Sequence, residues 1–313
     1  MPRSATLRLA VTWALPFASS ALSLSMKRTK VNMNFDGHMI KLLVDTGSDF
    51  SYLVYGGWYE SLYGPGSCKY LISGCYFCPP TDPCDLDTLL AQRVDEQLYG
   101  GGDVNKFVSR KVNVKVGKRK IENLTIGLMV GSTRILKNKQ PLAALGLSFA
   151  SKALRAAGKV SFLEQLLSST EPTVSVHVSK RYLGITGKLV LGESTKQTEG
   201  TAVLPLEEVS WAGTMNAMVA AAVWLKGPSD TDRMTTLLSR ERHFNIVLDT
   251  GAEISIVPKE LFSMLWEAIA VEFGPDHVAR ANEAYSTDDP TLAAYIDATG
   301  LICFRRSFTE RLP

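Results

Sequence analysis

The sequence is short of several features that would point to a function directly. It has no apolar run of the roughly 20 residues that a spanning helix needs; "AMVAAAVWL" at 217–225 is too short and reads as a buried strand or short helix. A stable membrane span is therefore not expected. Net charge is only +3, from 34 Lys and Arg against 31 Asp and Glu, which is too small for a nucleic-acid footprint. The one basic run, "SRKVNVKVGKRK", alternates its cations with Val112, Val114 and Val116. That period of two describes a strand with one solvated face, and no aromatics interleave to stack bases. Histidine is scarce: the four are scattered, so no Ser-His-Asp or Cys-His arrangement is available. Cysteine is scarce outside one stretch. Cys68, Cys75, Cys78 and Cys84 lie close together and Cys303 stands alone. A C-x2-C step is present, but a zinc ribbon needs a second short pair and none exists. Two disulfides are the better reading than zinc, with connectivity open, and neither a metal nor a cofactor is expected.

What the chain does have is a sentence written twice. "LLVDTGSDFSYLV" begins at Leu42 and "IVLDTGAEISIVP" at Ile246. Each copy places aliphatics before Asp-Thr-Gly, then a small residue, an acid, an apolar residue, Ser and further apolar residues. A given tripeptide arises by chance about once in several thousand positions. Two copies with matching flanks therefore argue against unrelated Asp-Gly turns. The aspartates are Asp45 and Asp249.

The remaining composition, 45% hydrophobic and 21% charged over 313 residues, suits a globular chain of about two domains. Arg3 and Arg8, a short apolar stretch, and small residues at Ala18, Ser20 and Ala21 read as a secretory signal over 1–25. Strands are predicted at 31–35, 39–44, 108–116 and 121–130, and helices around Leu163 and after Pro258. A polar Gly/Ser/Thr-rich stretch near residue 200 divides a first lobe, 26–200, from a second, 201–313. One DTG falls in each. "NLT" at Asn123 is the one glycosylation sequon, suited to an exposed turn.

If the two DTG turns faced each other, buried strands would deliver Asp45 and Asp249 to within a few ångströms. Gly47 and Gly251 would allow close approach, and the hydroxyls of Thr46 and Thr250 would reach the opposite backbone. Two carboxylates at that separation share one proton. A water between them meets a base on one side and an acid on the other.

These motifs resemble those of the pepsin-like aspartic proteases, over most of the chain from about Val31 onward. The resemblance implies a mostly β, bilobal fold with a cleft between lobes, and an acid endopeptidase acting as a monomer on peptides or proteins. It also implies a place in the secretory pathway, either extracellular or in an acidic vacuole-like compartment. In that family a β-hairpin flap carries a tyrosine followed by glycines; here Tyr99, Gly100 and Gly101 fit it. An apolar-apolar-Gly element braces the first catalytic loop; here Leu145 and Gly146 fit it. The sequence departs from the pattern in several places. Tyr52 stands where a tryptophan is common. Ser48 follows the first DTG but Ala252 the second, so Ser48 is expected to donate to Asp45 and favour its ionised form, leaving the shared proton on Asp249. No Lys-rich prosegment follows the signal. Only 64 residues follow Asp249, so the second lobe is expected to lack its last strands and its own brace, with the partner of Cys303 beyond Pro313. A short second lobe leaves two alternatives open: a non-catalytic pepsin-like protein that binds peptides or proteins, or a lobe completed by a partner chain.

Overall fold

A computed structural model describes residues 21–99, 102–168, 173–180, 184–193, 207–208, 216–220, 223–226, 234–238, 244–252, 257–279, 291–296 and 301–304. The stretch read as a lobe boundary near residue 200 lies outside the described residues, as do residues 1–20. The chain falls into two compact units, and Asp249–Gly251 belongs to the first.

In the first unit, β1 (Leu22–Lys27), β2 (Lys30–Phe35), β3 (His38–Asp45) and β4 (Tyr52–Val54) precede helix α1 (Gly56–Tyr63) and short helix α2 (Leu86–Leu90). Then follow β5 (Asp95–Leu98), β6 (Val104–Val116), β7 (Arg119–Ser132) and β8 (Ala143–Gly146). Helices α3 (Lys152–Ala156) and α4 (Phe162–Leu166) lead to β9 (Val174–Lys180) and β10 (Thr186–Leu191). All ten strands form one sheet, in the order β5-β6-β7-β4-β8-β3-β2-β1-β10-β9. An added β6–β2 pairing closes part of it into a ring. Closure removes open edges, and alternate side chains then fill the interior. Val112, Val114 and Val116 point inward while Lys111 and Lys115 are exposed, as their period-two spacing requires. Phe35, Ile40, Leu42, Leu53, Leu128 and Leu145 are fully buried in the same core.

β1 takes in residues 22–25, which the 1–25 signal reading had included. Leu22, Leu24 and Met26 are buried and Ser23, Ser25 and Lys27 exposed, so the segment alternates like its neighbours and pairs with β10 and β2.

The cysteines form two disulfides, Cys68–Cys75 and Cys78–Cys84. Between them, buried Tyr76 zips the stapled loop onto the end of β4: its N–H donates to Val54 O (2.9 Å), and its carbonyl accepts from Gly56 N (2.8 Å). Tyr55 Oη reaches Cys84 O at 3.1 Å.

The second unit contains β11 (Glu207–Glu208), β12 (Asn216–Ala220), β13 (Val223–Lys226), β14 (Met234–Leu238) and β15 (Phe244–Val247). Helix α5 (Lys259–Phe273), with Pro258 at its N-cap, precedes β16 (Val278–Ala279), β17 (Ala294–Ile296) and β18 (Ile302–Phe304). The described residues of the 217–225 segment, 217–220 and 223–225, are therefore strand and not helix. Leu261, Trp266 and Ile269 form the buried stripe of α5, and Ala294 of β17 packs with the last two. Cys303 lies on β18, its thiol 3.8 Å from Leu301 O. Among the described residues no helix is long and apolar enough to cross a membrane.

β8 runs parallel to β3 in the register Asp45↔Gly146. A methyl group on Gly146 would stand 2.7 Å from Ser48 O and 2.8 Å from the backbone N and O of Phe50. None of these atoms is the end of a flexible side chain, so the loop after Asp45 would have to move. Gly146→Ala should therefore cost about 1–3 kcal/mol, as overpacking does. Denaturant midpoints should fall accordingly, and an unchanged midpoint would contradict this packing.

Candidate active site

Asp45 ends β3, after Ile40, Leu42 and Val44 have anchored that strand in the core. Asp249 follows β15 by two residues. Within the first unit the two DTG segments meet face to face. Thr46 N donates to Thr250 Oγ1 (3.2 Å), and Thr250 N donates to Thr46 Oγ1 (3.0 Å). Thr250 Oγ1 donates in turn to Val44 O at 2.7 Å. Each carboxylate accepts from its own glycine: Gly47 N to Asp45 Oδ1 at 2.9 Å, and Gly251 N to Asp249 Oδ1 at 2.7 Å.

The glycines also face across. A methyl on Gly47 would lie 2.6 Å from Asp249 Cγ, and one on Gly251 would lie 2.6 Å from Asp45 Cγ. Each loop thus packs its bare α-carbon against the other's carboxyl, which no residue with a Cβ could do. Threonine hydroxyls and glycine α-carbons together clamp the two aspartates into one pair.

Burial, the neighbouring Asp249 charge and a hydrogen bond with Asp249 hold the Asp45 carboxyl well above the usual carboxylate range; the Gly47 N–H pulls weakly the other way. Two carboxyls in contact cannot both ionise cheaply, so the pair retains a proton where isolated aspartates would not.

The expected Ser48–Asp45 hydrogen bond is replaced by a different one. Ser48 Oγ faces Phe50 instead: it donates to Phe50 O (3.5 Å) and accepts from Phe50 N (3.1 Å). Ser48 therefore gives no reason to place the ionised form on Asp45, and the proton belongs to the pair as a whole. Ala252 is exposed.

Leu145 is fully buried, and the backbone just beyond it brackets the Asp45 loop: Leu147 N donates to Asp45 O (2.8 Å) and Ser148 N to Ser48 O (3.0 Å). Several residues that sequence reasoning passed over complete this bracket. Ser148 Oγ donates to Thr46 O (2.8 Å), and Gly146 N donates to Ser51 Oγ (2.9 Å). Buried Asp49 accepts from Ser151 N (3.1 Å), and its carboxyl is raised, chiefly by burial. The repeated acid and serine of the motif were the available signal for Asp49 and Ser51; Ser148 and Ser151 had none.

Tyr99 sits at the end of the β5–β6 hairpin, and Gly100 and Gly101 lie outside the described residues. Its ring packs edge-on against Tyr52, with centroids 6.2 Å apart. Tyr52 is buried and belongs to an aromatic cluster with Phe50 and Phe107. Burial pushes the Tyr52 phenol up to about 12, with the Tyr99 hydroxyl opposing and the Asp45 charge adding to the rise. The Tyr99 phenol is raised as well, by burial first, then Tyr52, and Asp45 among the smaller causes. Both tyrosines therefore lie within electrostatic reach of Asp45. Asn123, by contrast, is exposed on β7 with a left-handed φ of 59°. Among the described residues no cluster of three or more His, Cys, Asp or Glu could hold a metal ion.

No family model matches the chain, and no curated protein matches it. Among solved structures, the aspartic proteinase from Irpex lacteus matches with a TM-score of 0.55 at 17% identity, over 94% of this chain and 74% of that one. The fold is that of the pepsin-like aspartic proteinases. At this identity the likeness is one of fold, while the facing of Asp45 and Asp249 is a feature of this chain's own side chains.

Because the folded state holds a proton on Asp45 to higher pH than the unfolded chain, whose aspartates titrate near 3.9, this group favours folding most at low pH. Its contribution is full below the unfolded value and is lost as pH rises through the raised folded value. Wild type should therefore lose stability relative to Asp45→Asn as pH rises from about 4 towards neutrality. Urea unfolding of both across that range checks this. A difference that stays flat, or that grows in favour of wild type, would contradict the raised carboxyl.

Proposed function

We propose that the protein is an aspartic-type endopeptidase that hydrolyses peptide bonds with a water activated between Asp45 and Asp249, and that it works at acid pH. The observation that carries this reading is the reciprocal clamp, in which each DTG glycine packs against the other loop's carboxyl. A pair so held shares one proton, and a shared proton supplies a base and an acid at one point in space.

In the first step the shared proton, which belongs to the pair, starts on Asp45 and Asp249 is the acceptor. The water's oxygen attacks the peptide carbonyl carbon as its proton passes to Asp249. Asp45 gives its proton to the carbonyl oxygen, forming a gem-diol. As the C–N bond breaks, the proton held by Asp249 goes to the amide nitrogen and a gem-diol hydroxyl proton returns to Asp45. One water is consumed, and an acid and an amine leave with no covalent intermediate on the protein. The hydrogen-bonded frame of Thr46, Thr250, Ser51 and Ser148 keeps the two carboxyls from separating, which is the positioning such a step needs. Leu145 and Gly146 brace the Asp45 loop, and Tyr99 with the glycines after it contacts the bound peptide.

The proposed setting is the secretory pathway or an acidic vacuole-like compartment. The two disulfides are the support for it, since they persist where conditions are oxidising. A signal segment ending among Ala18 to Ala21 would leave β1 whole, and exposed Asn123 would be open to glycosylation in that pathway. Peptides or proteins are the substrate, with no cofactor.

In an acidic-pH peptide-cleavage assay, Asp45→Asn and Asp249→Asn should each lower kcat by at least about a thousandfold, since acid and base contribute about 10²–10⁴ each. Cleavage should fall towards neutral pH as the pair loses its shared proton. Wild-type turnover in either Asn variant would end the proposal.

A further inference from the structure

We propose that Asp103 is a positioning residue that holds Tyr99 against Tyr52 through a charge cluster with Arg134 and Lys137. The role assigned to Tyr99 rests on the endopeptidase reading; the placement does not.

Asp103 is 6% exposed, yet it lies at the end of a hairpin turn, where an acid normally faces water. Both of its carboxylate oxygens are engaged. Oδ1 accepts from Lys137 Nζ at 2.7 Å, and Oδ2 from Arg134 Nη1 at 3.2 Å. Arg134 is itself fixed, its Nε donating to Gln140 O at 3.1 Å. The cations sit on the short helical turn Thr133–Lys137 that follows β7, so the cluster ties the hairpin to a different part of the sheet.

The same residue closes the turn through its backbone. Asp103 O accepts from Tyr99 N at 2.9 Å, and Tyr99 O accepts from Gly102 N at 2.8 Å. Whatever moves Asp103 therefore moves Tyr99. The next residues continue the anchor, with Val104 N donating to Thr133 Oγ1 (2.8 Å) and Ser132 Oγ donating to Asn105 Oδ1 (2.6 Å). Arg134 is also close enough to ease the Tyr52 phenol down, against the effect of Asp45.

By contrast, the ion pair Glu96–Lys106, which bridges β5 and β6, has both side chains more than half exposed and is screened by water. Asp103 is shielded, and the hydrogen bond from Lys137 and the nearby charges of Lys137, Arg134 and Lys139 hold its carboxyl below the usual range. It thus stays ionised into acid conditions that would begin to neutralise an ordinary aspartate. The anchor persists where the aspartate pair is proposed to work.

The test uses Asp103→Asn, which keeps the shape and removes the charge, together with Lys137→Gln and Lys137→Arg, which act from the exposed side. Amide hydrogen exchange is followed in the intact protein. Tyr99 N–H should exchange about tenfold faster or more in Asp103→Asn and less so in Lys137→Gln. The amides of Gly47 and Thr250 should be unchanged, and Lys137→Arg should match wild type. With a peptide substrate, KM should rise several-fold in Asp103→Asn and Lys137→Gln, with kcat within about twofold. Unaltered exchange at Tyr99 in Asp103→Asn, or an unaltered KM beside accelerated exchange, would overturn the proposal. If wild type cleaves no peptide, the endopeptidase reading fails, and the exchange data alone decide whether Asp103 fixes Tyr99.

Discussion

Two carboxyls held in contact are an unfavourable arrangement, and the rest of the first unit is organised to maintain it. Water would separate Asp45 and Asp249 at once if their loops were free to move, since a shared proton recovers only part of the lost hydration. The opposing force is distributed over short backbone contacts. Two threonine hydroxyls accept from the opposite loop's amides, and two glycines accept a carboxyl against a bare α-carbon. The second contact requires both motifs to be DTG at once. Replacing either glycine would put a methyl within 3 Å of a carboxyl carbon on the other side.

The clamp needs a stiff base, and the sheet provides it. β3 delivers Asp45 from a strand whose alternate residues Ile40, Leu42 and Val44 are fully buried, and β8 lies beside it in parallel register with no room for a side chain at Gly146. Ser148 satisfies the Thr46 carbonyl of the loop, and the loop's own Ser51 and Asp49 satisfy the amides of Gly146 and Ser151 in return. A buried loop without such partners would leave amides and carbonyls unpaired, at about 1–3 kcal/mol each. The disulfide-stapled segment supports the next strand, β4, through Tyr76. Tyr52, Phe50, Phe107 and Tyr99 then form an aromatic wall close to the carboxyls.

Much of this was legible in the sequence because it is local and periodic. The alternation of Val112, Val114 and Val116 gave β6, and the doubled DTG gave the pair of aspartates. Pro258 marked the start of α5. What escaped was either hidden by context or long-range. Proximity in sequence makes Ser48 look like a donor to Asp45, but its hydroxyl faces Phe50, accepting from that amide and donating to that carbonyl. Ser148 and Ser151 brace a loop about 100 residues away, and Asp103 meets cations 31 and 34 residues on. No short pattern announces contacts of that span. The direction in which Asp45 is shifted also depends on burial, which the motif alone does not state.

The shared proton is the center of the account, and it can be counted directly. Carbon-13 labelling of the aspartate carboxyls, followed by NMR titration of wild type with Asp45→Asn and Asp249→Asn for assignment, reads the protonation of both groups through one pH series. The pair should titrate in two separated macroscopic steps, the upper one well above the ordinary aspartate value near 3.9, with one proton held between them. Two independent titrations near that ordinary value would show that the carboxyls do not share a proton, and the reading of this site as a water-activating pair would be wrong.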